Sequence, residues 1–141
     1  MPELPEVEVV KRSLESSILN LSVKAVKIKE TNLRFKVKKH EINQIIDLKV
    51  LKIKRRSKYI LFFFTKNVVM IAHLGMTGKF FLVKKKVKEK TSFYYNLDDK
   101  KDLKHDHLVI TFRNKTKLIY NDVRKFGFIK VTKLDKLKEN E

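Results

Sequence analysis

Cysteine is missing from this 141-residue chain, and its absence removes two architectures at once. Neither a disulfide framework nor a thiolate zinc site can be built from these residues. The four histidines alone make a weak metal set. The N-terminal stretch lacks a basic start followed by an apolar core, so no secretory leader is read. The longest apolar runs, YILFFF at 59–64 and VVMIA at 68–72, fall far short of the roughly 20 residues needed to span a bilayer. A soluble intracellular protein is expected, and no internal repeat is evident. Acid is scarce: 16 Asp and Glu stand against 34 Lys and Arg, a net charge of +18. That excess favours a polyanionic partner, because each phosphate neutralised releases condensed counterions. Nucleic acid is the first choice and an anionic membrane surface the second. Part of the excess also fits a coding bias towards lysine, isoleucine and asparagine.

What is present suffices for one domain with a core. Hydrophobic residues make up 43% of the chain, and a chain of this length buries about two-thirds of its unfolded surface. Val7, Val10, Leu14, Ile18 and Leu21 recur at steps of three and four, which predicts a helix from Pro5 to about Leu21. A second short helix is predicted near 38–47 on Ile42, Ile45 and Ile46. Strands are predicted at 23–29, 48–56, 57–65, 68–74, 78–83, 107–113, 116–121 and 126–132, all rich in β-branched and aromatic residues. The fold class is therefore mainly β (α+β). About eight strands form a two-layer β-sandwich, or a barrel, flanked by the N-terminal helix and the second short helix. Residues 84–104 read as a charged surface loop, and the final KLDKLKENE as a frayed helix or linker stub.

Five stretches could carry chemistry. The chain opens MPELPE, with its only two prolines in the first six residues. Proline and glutamate suit a helix start. If Met1 is removed, however, Pro2 presents a secondary amine with Glu3 and Glu6 close behind. RRSKY at 55–59 is either a solvated strand edge or a phosphate clamp built from Arg55, Arg56 and Lys58. HLGMTG at 73–78 is a glycine turn whose Met76 could project as an apolar wedge. NDVRKFG at 121–127 reads as polar turn residues leading into Arg124, Lys125 and Phe126, a hairpin turn or a pairing suited to groove insertion and base stacking. HDH at 105–107 would put His105 and His107 on one strand face, too little for a metal site.

In this order, MPELPEVE, RRSKY, HLGMTG, HDH and the R-K-F-G turn resemble the formamidopyrimidine-DNA glycosylase family over residues 2 to about 132. Leu4, and methionine directly after HLG, point to the oxidised-purine branch rather than the endonuclease VIII branch. The resemblance implies a bifunctional DNA glycosylase and abasic-site (β,δ-elimination) lyase in bacterial, cytoplasmic base excision repair. It would act on damaged double-stranded DNA, excising 8-oxoguanine and formamidopyrimidines from nucleotides flipped out of the duplex. Pro2 would be the nucleophile, Glu3 the general acid/base, Glu6 its support and Lys58 a further catalytic and phosphate-binding group. His73 would bind phosphate, while Met76, Arg124 and Phe126 would fill the gap left by the flipped nucleotide. Lys125 stands where the family usually has arginine, reducing a fork to a point charge, and Val123 stands for a usual proline.

Residues 1–132 are thus expected to be the N-terminal catalytic domain and 133–141 a linker stub. The family's helix–two-turn–helix and zinc-finger modules are expected to be absent from these residues. No metal or other cofactor is expected in the chain, nor a membrane partner, and a monomer is expected. Weak or absent activity is expected of this stretch alone. The rival readings are a non-catalytic nucleic-acid-binding module of the same fold and an endonuclease VIII-like enzyme for oxidised pyrimidines.

Overall fold

The computed structural model describes residues 4–29, 37–84, 87–90, 106–122, 124–125 and 127–139. Helix α1 (Leu4–Ile18) forms because its apolar residues share one face: Val7, Val10, Leu14 and Ile18 are all buried. It ends before Leu21, earlier than the spacing predicts. Asn20 adopts φ 68° and its N–H donates to the Val50 carbonyl at 2.8 Å, so the chain leaves the helix to meet a strand. Asparagine tolerates this left-handed position better than most residues. The second predicted helix is a single turn, α2 (Lys39–Ile42), continued by a 3₁₀ turn over Asn43–Ile45, with Ile42 and Ile45 buried.

Nine strands among the described residues form two antiparallel sheets. They are β1 (Val23–Ile28), β2 (Val50–Arg56), β3 (Tyr59–Phe64), β4 (Val68–His73), β5 (Gly78–Lys84), β6 (Val87–Lys90), β7 (Asp106–Phe112), β8 (Lys117–Asp122) and β9 (Phe128–Lys133). One sheet runs β1-β7-β8-β5-β6 and the other β2-β3-β4-β9. Between them lies one core, in which Phe62, Phe64 and Met70 meet Phe80, Leu82, Ile110, Phe112 and Tyr120. Helix α1 packs on β2 and β3, and α2 on β9. The two-layer sandwich expected from the sequence is the fold observed.

A further expectation is corrected. Lys84 and residues 87–90, read as loop, are paired strand: Lys84 pairs with Val87 and Phe81 with Lys90. The lysine-rich run that looked like solvated loop is an edge strand, where charge discourages pairing with another chain. Residues 91–105 lie outside the described residues. At the other end, Leu134–Glu139 forms α3 against β4 and β9. No described helix is long and apolar enough to cross a membrane.

The chain changes sheet between β1 and β2, and then twice more, between β4 and β5 and between β8 and β9; the last two crossings bear on the site. Gly78 pairs with Asp122 and His73 with Phe128, so both crossings lie side by side at one end of the sandwich. Tyr59 also pairs with His73, which brings the β2–β3 turn to that same end.

Candidate nucleic-acid interface

Three connections therefore converge: the turn at Ser57 and Lys58, the turn 74–77, and the loop between Asp122 and Phe128. The first is a two-residue hairpin closed by the Arg56–Tyr59 pair, with Ser57 at φ 54°, the positive φ that tight hairpins demand. It offers Lys58 at its tip. Arg55 is engaged within the chain. Its Nε donates to Glu8 of α1 at 3.0 Å and one of its terminal nitrogens to the Ser57 carbonyl at 3.1 Å. The guanidinium thus ties the early turns of α1, where Glu6 sits half-buried, to the hairpin tip. The Arg55 hydrogen bond, opposed by desolvation and aided by Arg12 and Lys11, holds the Glu8 carboxyl below its usual range.

His73 is buried at the end of β4, stacked on Phe128 with ring centres 5.6 Å apart and edge-on to Tyr59 at 4.9 Å. Its Nδ1 accepts the Gly75 N–H at 3.0 Å. That bond assigns the neutral ring its proton at Nε2, leaving Nε2–H as the ring's donor. Gly75 supplies the turn's φ of 62°, which a side chain would resist.

Beyond it, Met76 is 46% exposed at the tip of the turn. Arg124 reaches it from the neighbouring loop, with Nη1 3.5 Å from the Met76 sulfur. The two side chains singled out from different motifs are thus brought together. Lys125 sits beside them, exposed and at φ 58°. Pro2, Glu3 and Phe126 lie outside the described residues, as do Val123 and His105.

What holds the two loops is a residue that sequence reasoning passed over. Asn121 and Asp122, read as turn residues, are completely buried at the end of β8. The Asp122 carboxylate takes four donors. Oδ1 accepts the Thr77 hydroxyl at 2.6 Å and the Lys125 N–H at 3.1 Å, while Oδ2 accepts the Tyr120 hydroxyl at 2.8 Å and the Gly127 N–H at 2.9 Å. Thr77 in turn accepts the Arg124 N–H at 3.0 Å. Burial, and then the Asp122 charge and hydrogen bond, push the Tyr120 phenol far above its usual range, so it stays a donor. Strand alternation carried the signal: Tyr120 and Asp122, two apart on one strand, share the inward face.

Asp106 and His107 serve the same strand rather than each other. Asp106 accepts the Asn121 amide at 2.8 Å, and His107 Nε2 lies 2.6 Å from the Asp122 carbonyl. No cluster of three or more metal-ligating side chains occurs among the described residues.

The family model of the formamidopyrimidine-DNA glycosylase N-terminal domain matches residues 1–129. The architecture is accordingly that of a DNA-glycosylase N-terminal domain. A formamidopyrimidine-DNA glycosylase of Rickettsia bellii is 41% identical over 129 residues, covering 92% of this chain and 42% of the relative. One of Bartonella tribocorum is 36% identical over 97% of this chain and 47% of its own length. Among solved structures, the complex between the Lactococcus lactis Fpg and an abasic-site DNA aligns with a TM-score of 0.80 at 29% identity, over 99% of this chain and 47% of that one. The chain belongs to the formamidopyrimidine-DNA glycosylase family, and it spans just under half the length of these relatives.

Proposed function

We propose that the chain is the N-terminal, nucleophile-bearing part of a bifunctional DNA glycosylase and abasic-site lyase acting on oxidised purines in double-stranded DNA. The observation that carries this reading is the joined pair of inter-sheet loops presenting Met76 and Arg124 together, at the end of the sandwich where Arg55 ties down α1. A flexible apolar side chain beside a guanidinium suits a duplex from which one nucleotide has been flipped: the first fills the gap, the second meets the base left opposite. Lys58 and the His73 Nε2–H suit flanking phosphates, and the charge of +18 favours the polyanion overall.

The chemistry is assigned to Pro2 freed of Met1. Its α-amine has a reference pKa of about 7.7–8, so a useful neutral fraction exists near pH 7. The nitrogen lone pair attacks the sugar C1′ and the bond from C1′ to the base breaks. The amine proton is lost and the departing base takes one up; the bond from C1′ to the ring oxygen then breaks to give the iminium, with Glu3 delivering the proton that the ring oxygen accepts and Glu6 supporting it. The iminium then serves as the electron sink for elimination of the flanking phosphates. Preference for purines rests on Leu4 and on methionine following HLG, and a monomer working in the bacterial cytoplasm fits the reading.

Borohydride trapping tests this. The purified chain, its loss of Met1 verified by intact mass, is mixed with abasic-site duplex and reduced. A covalent adduct is expected, strongly diminished in Pro2→Gly. No adduct from the processed chain, or an equal adduct from Pro2→Gly, refutes the proline mechanism. Salt-sensitive DNA binding with no adduct would favour the non-catalytic module, and adducts only on oxidised pyrimidines the endonuclease VIII-like alternative.

A further inference from the structure

We infer that Thr77 and Asp122 are positioning residues that lock the Met76 turn and the Arg124 loop into one body, so that both side chains enter a duplex together rather than one after the other. The argument is geometric. Met76 and Arg124 are 48 residues apart and meet in a sulfur contact of 3.5 Å at exposed tips, which by itself is too weak to order two loops. Behind them, one hydroxyl makes two bonds in opposite senses. Thr77 donates to Asp122 Oδ1 at 2.6 Å and accepts the Arg124 N–H at 3.0 Å. The same carboxylate takes Lys125 N–H and Gly127 N–H. The backbone on both sides of position 126 is therefore pinned to the residue that also anchors the Met76 turn. Bonds to a buried carboxylate are charge-assisted and stiff. The anchor itself cannot swing, since Asp122 is fully buried and Tyr120 holds its second oxygen.

This inference rests on the reading of Met76 and Arg124 as the gap-filling pair, so its test has an arm that needs no DNA. Amide hydrogen exchange is followed residue by residue in the full chain, in Thr77→Val and in Thr77→Ser. Valine keeps the shape and removes the hydroxyl, whereas serine keeps the hydroxyl. Thr77→Val is expected to speed exchange at Arg124 and Lys125 about tenfold, the loss of a charge-assisted bond. Gly127, held by the other carboxylate oxygen, stays protected, and Thr77→Ser behaves as the parent. Unchanged exchange at Arg124 in Thr77→Val overturns the inference. Should the valine variant fail to fold, Thr77→Ala against Thr77→Ser makes the same comparison.

The second arm uses a duplex carrying an abasic-site analogue with 2-aminopurine opposite, whose fluorescence rises when that base unstacks. Thr77→Val is expected to raise the protein concentration needed for half the rise about tenfold, with no further effect in an Arg124→Ala background. An equal effect in both backgrounds would overturn joint entry. A duplex silent to the parent chain would instead count against the gap-filling reading, while the exchange result would still decide the positioning role.

Discussion

Gly127→Ala puts a single methyl where the two sheets meet. A Cβ built at Gly127 falls on the Tyr120 hydroxyl and the His73 carbonyl oxygen and lies 3.0 Å from Asp122 Oδ2. Neither of the first two can step aside cheaply. The His73 carbonyl belongs to the β4–β9 ladder, where His73 pairs with Phe128, and the Tyr120 ring is buried with its hydroxyl on Asp122. Overpacking of this kind costs about 1–3 kcal/mol. If Gly127 retreats instead, its 2.9 Å bond to Asp122 is lost, and a bond to a charged acceptor is worth about 1.5–3 kcal/mol. The expected loss is about 3 kcal/mol, a fall in Tm on the order of 10 °C for a domain of this size. Urea unfolding followed by circular dichroism measures it. Tyr120→Phe removes one obstacle at the cost of one hydrogen bond, so the double variant is expected to be more stable than the sum of the singles by roughly 0.5 kcal/mol or more. A Gly127→Ala protein within about 0.5 kcal/mol of the parent, the range of ordinary surface substitutions, would refute the close approach on which this reasoning stands.

Three further outcomes are expected. The Arg55 hydrogen bond holds the Glu8 carboxyl below the ordinary glutamate range in the folded chain, so its stabilising effect is present above the unfolded value and lost as pH falls through the folded one; Tm measured from pH 6 to 3 should show the gap between the parent and Glu8→Gln closing at the acid end, and a constant gap would exclude the Arg55 pairing. Lys58→Ala should weaken binding to any duplex sequence alike and flatten the slope of log K against log salt by about one unit, whereas an unchanged slope removes Lys58 from the phosphate contacts. Long-range ¹H–¹⁵N spectra should show the neutral His73 ring protonated at Nε2; a proton on Nδ1 would contradict the Gly75 bond.

Much of the fold was legible because its signals are local. The stripe Val7, Val10, Leu14 and Ile18 needs only the helical period, and the strands of the core announce themselves by composition. The misses have physical causes. Helix α1 stops at Ile18 because Asn20 bonds to Val50, 30 residues on, a pairing no periodicity contains. Strand β6 reads as loop in the sequence because an edge strand rich in lysine has the composition of a loop. The Arg55–Glu8 bond is invisible to local pattern because its partners lie 47 residues apart. The residues of the candidate interface were found one motif at a time, but their joining was invisible, since it runs through Asp122, a residue whose type says turn and whose place on β8 says core.

A carboxylate is a costly choice for that place. Removing a charge from water costs several kcal/mol unless good geometry offsets it, and apolar packing often does as well or better. Here an apolar residue would leave the Lys125 and Gly127 N–H groups without the acceptor they use, together with the Thr77 and Tyr120 hydroxyls. The two buried donors among them, the Tyr120 hydroxyl and the Gly127 N–H, would each cost about 1–3 kcal/mol when orphaned. The loop after β8 has left the sheet, so no neighbouring strand supplies those acceptors, and one side chain with two oxygens serves four donors in their stead. The price of burying Asp122 is therefore met locally, by the loop it organises. Substituting asparagine would turn one acceptor into a donor and oppose it to two of the four groups, releasing either the Thr77 side or the Tyr120 side but not both. The stability lost in Asp122→Asn is thus tied to the ordering of the Met76 and Arg124 loops, and a variant that lost stability while keeping both loops protected from exchange would break that link.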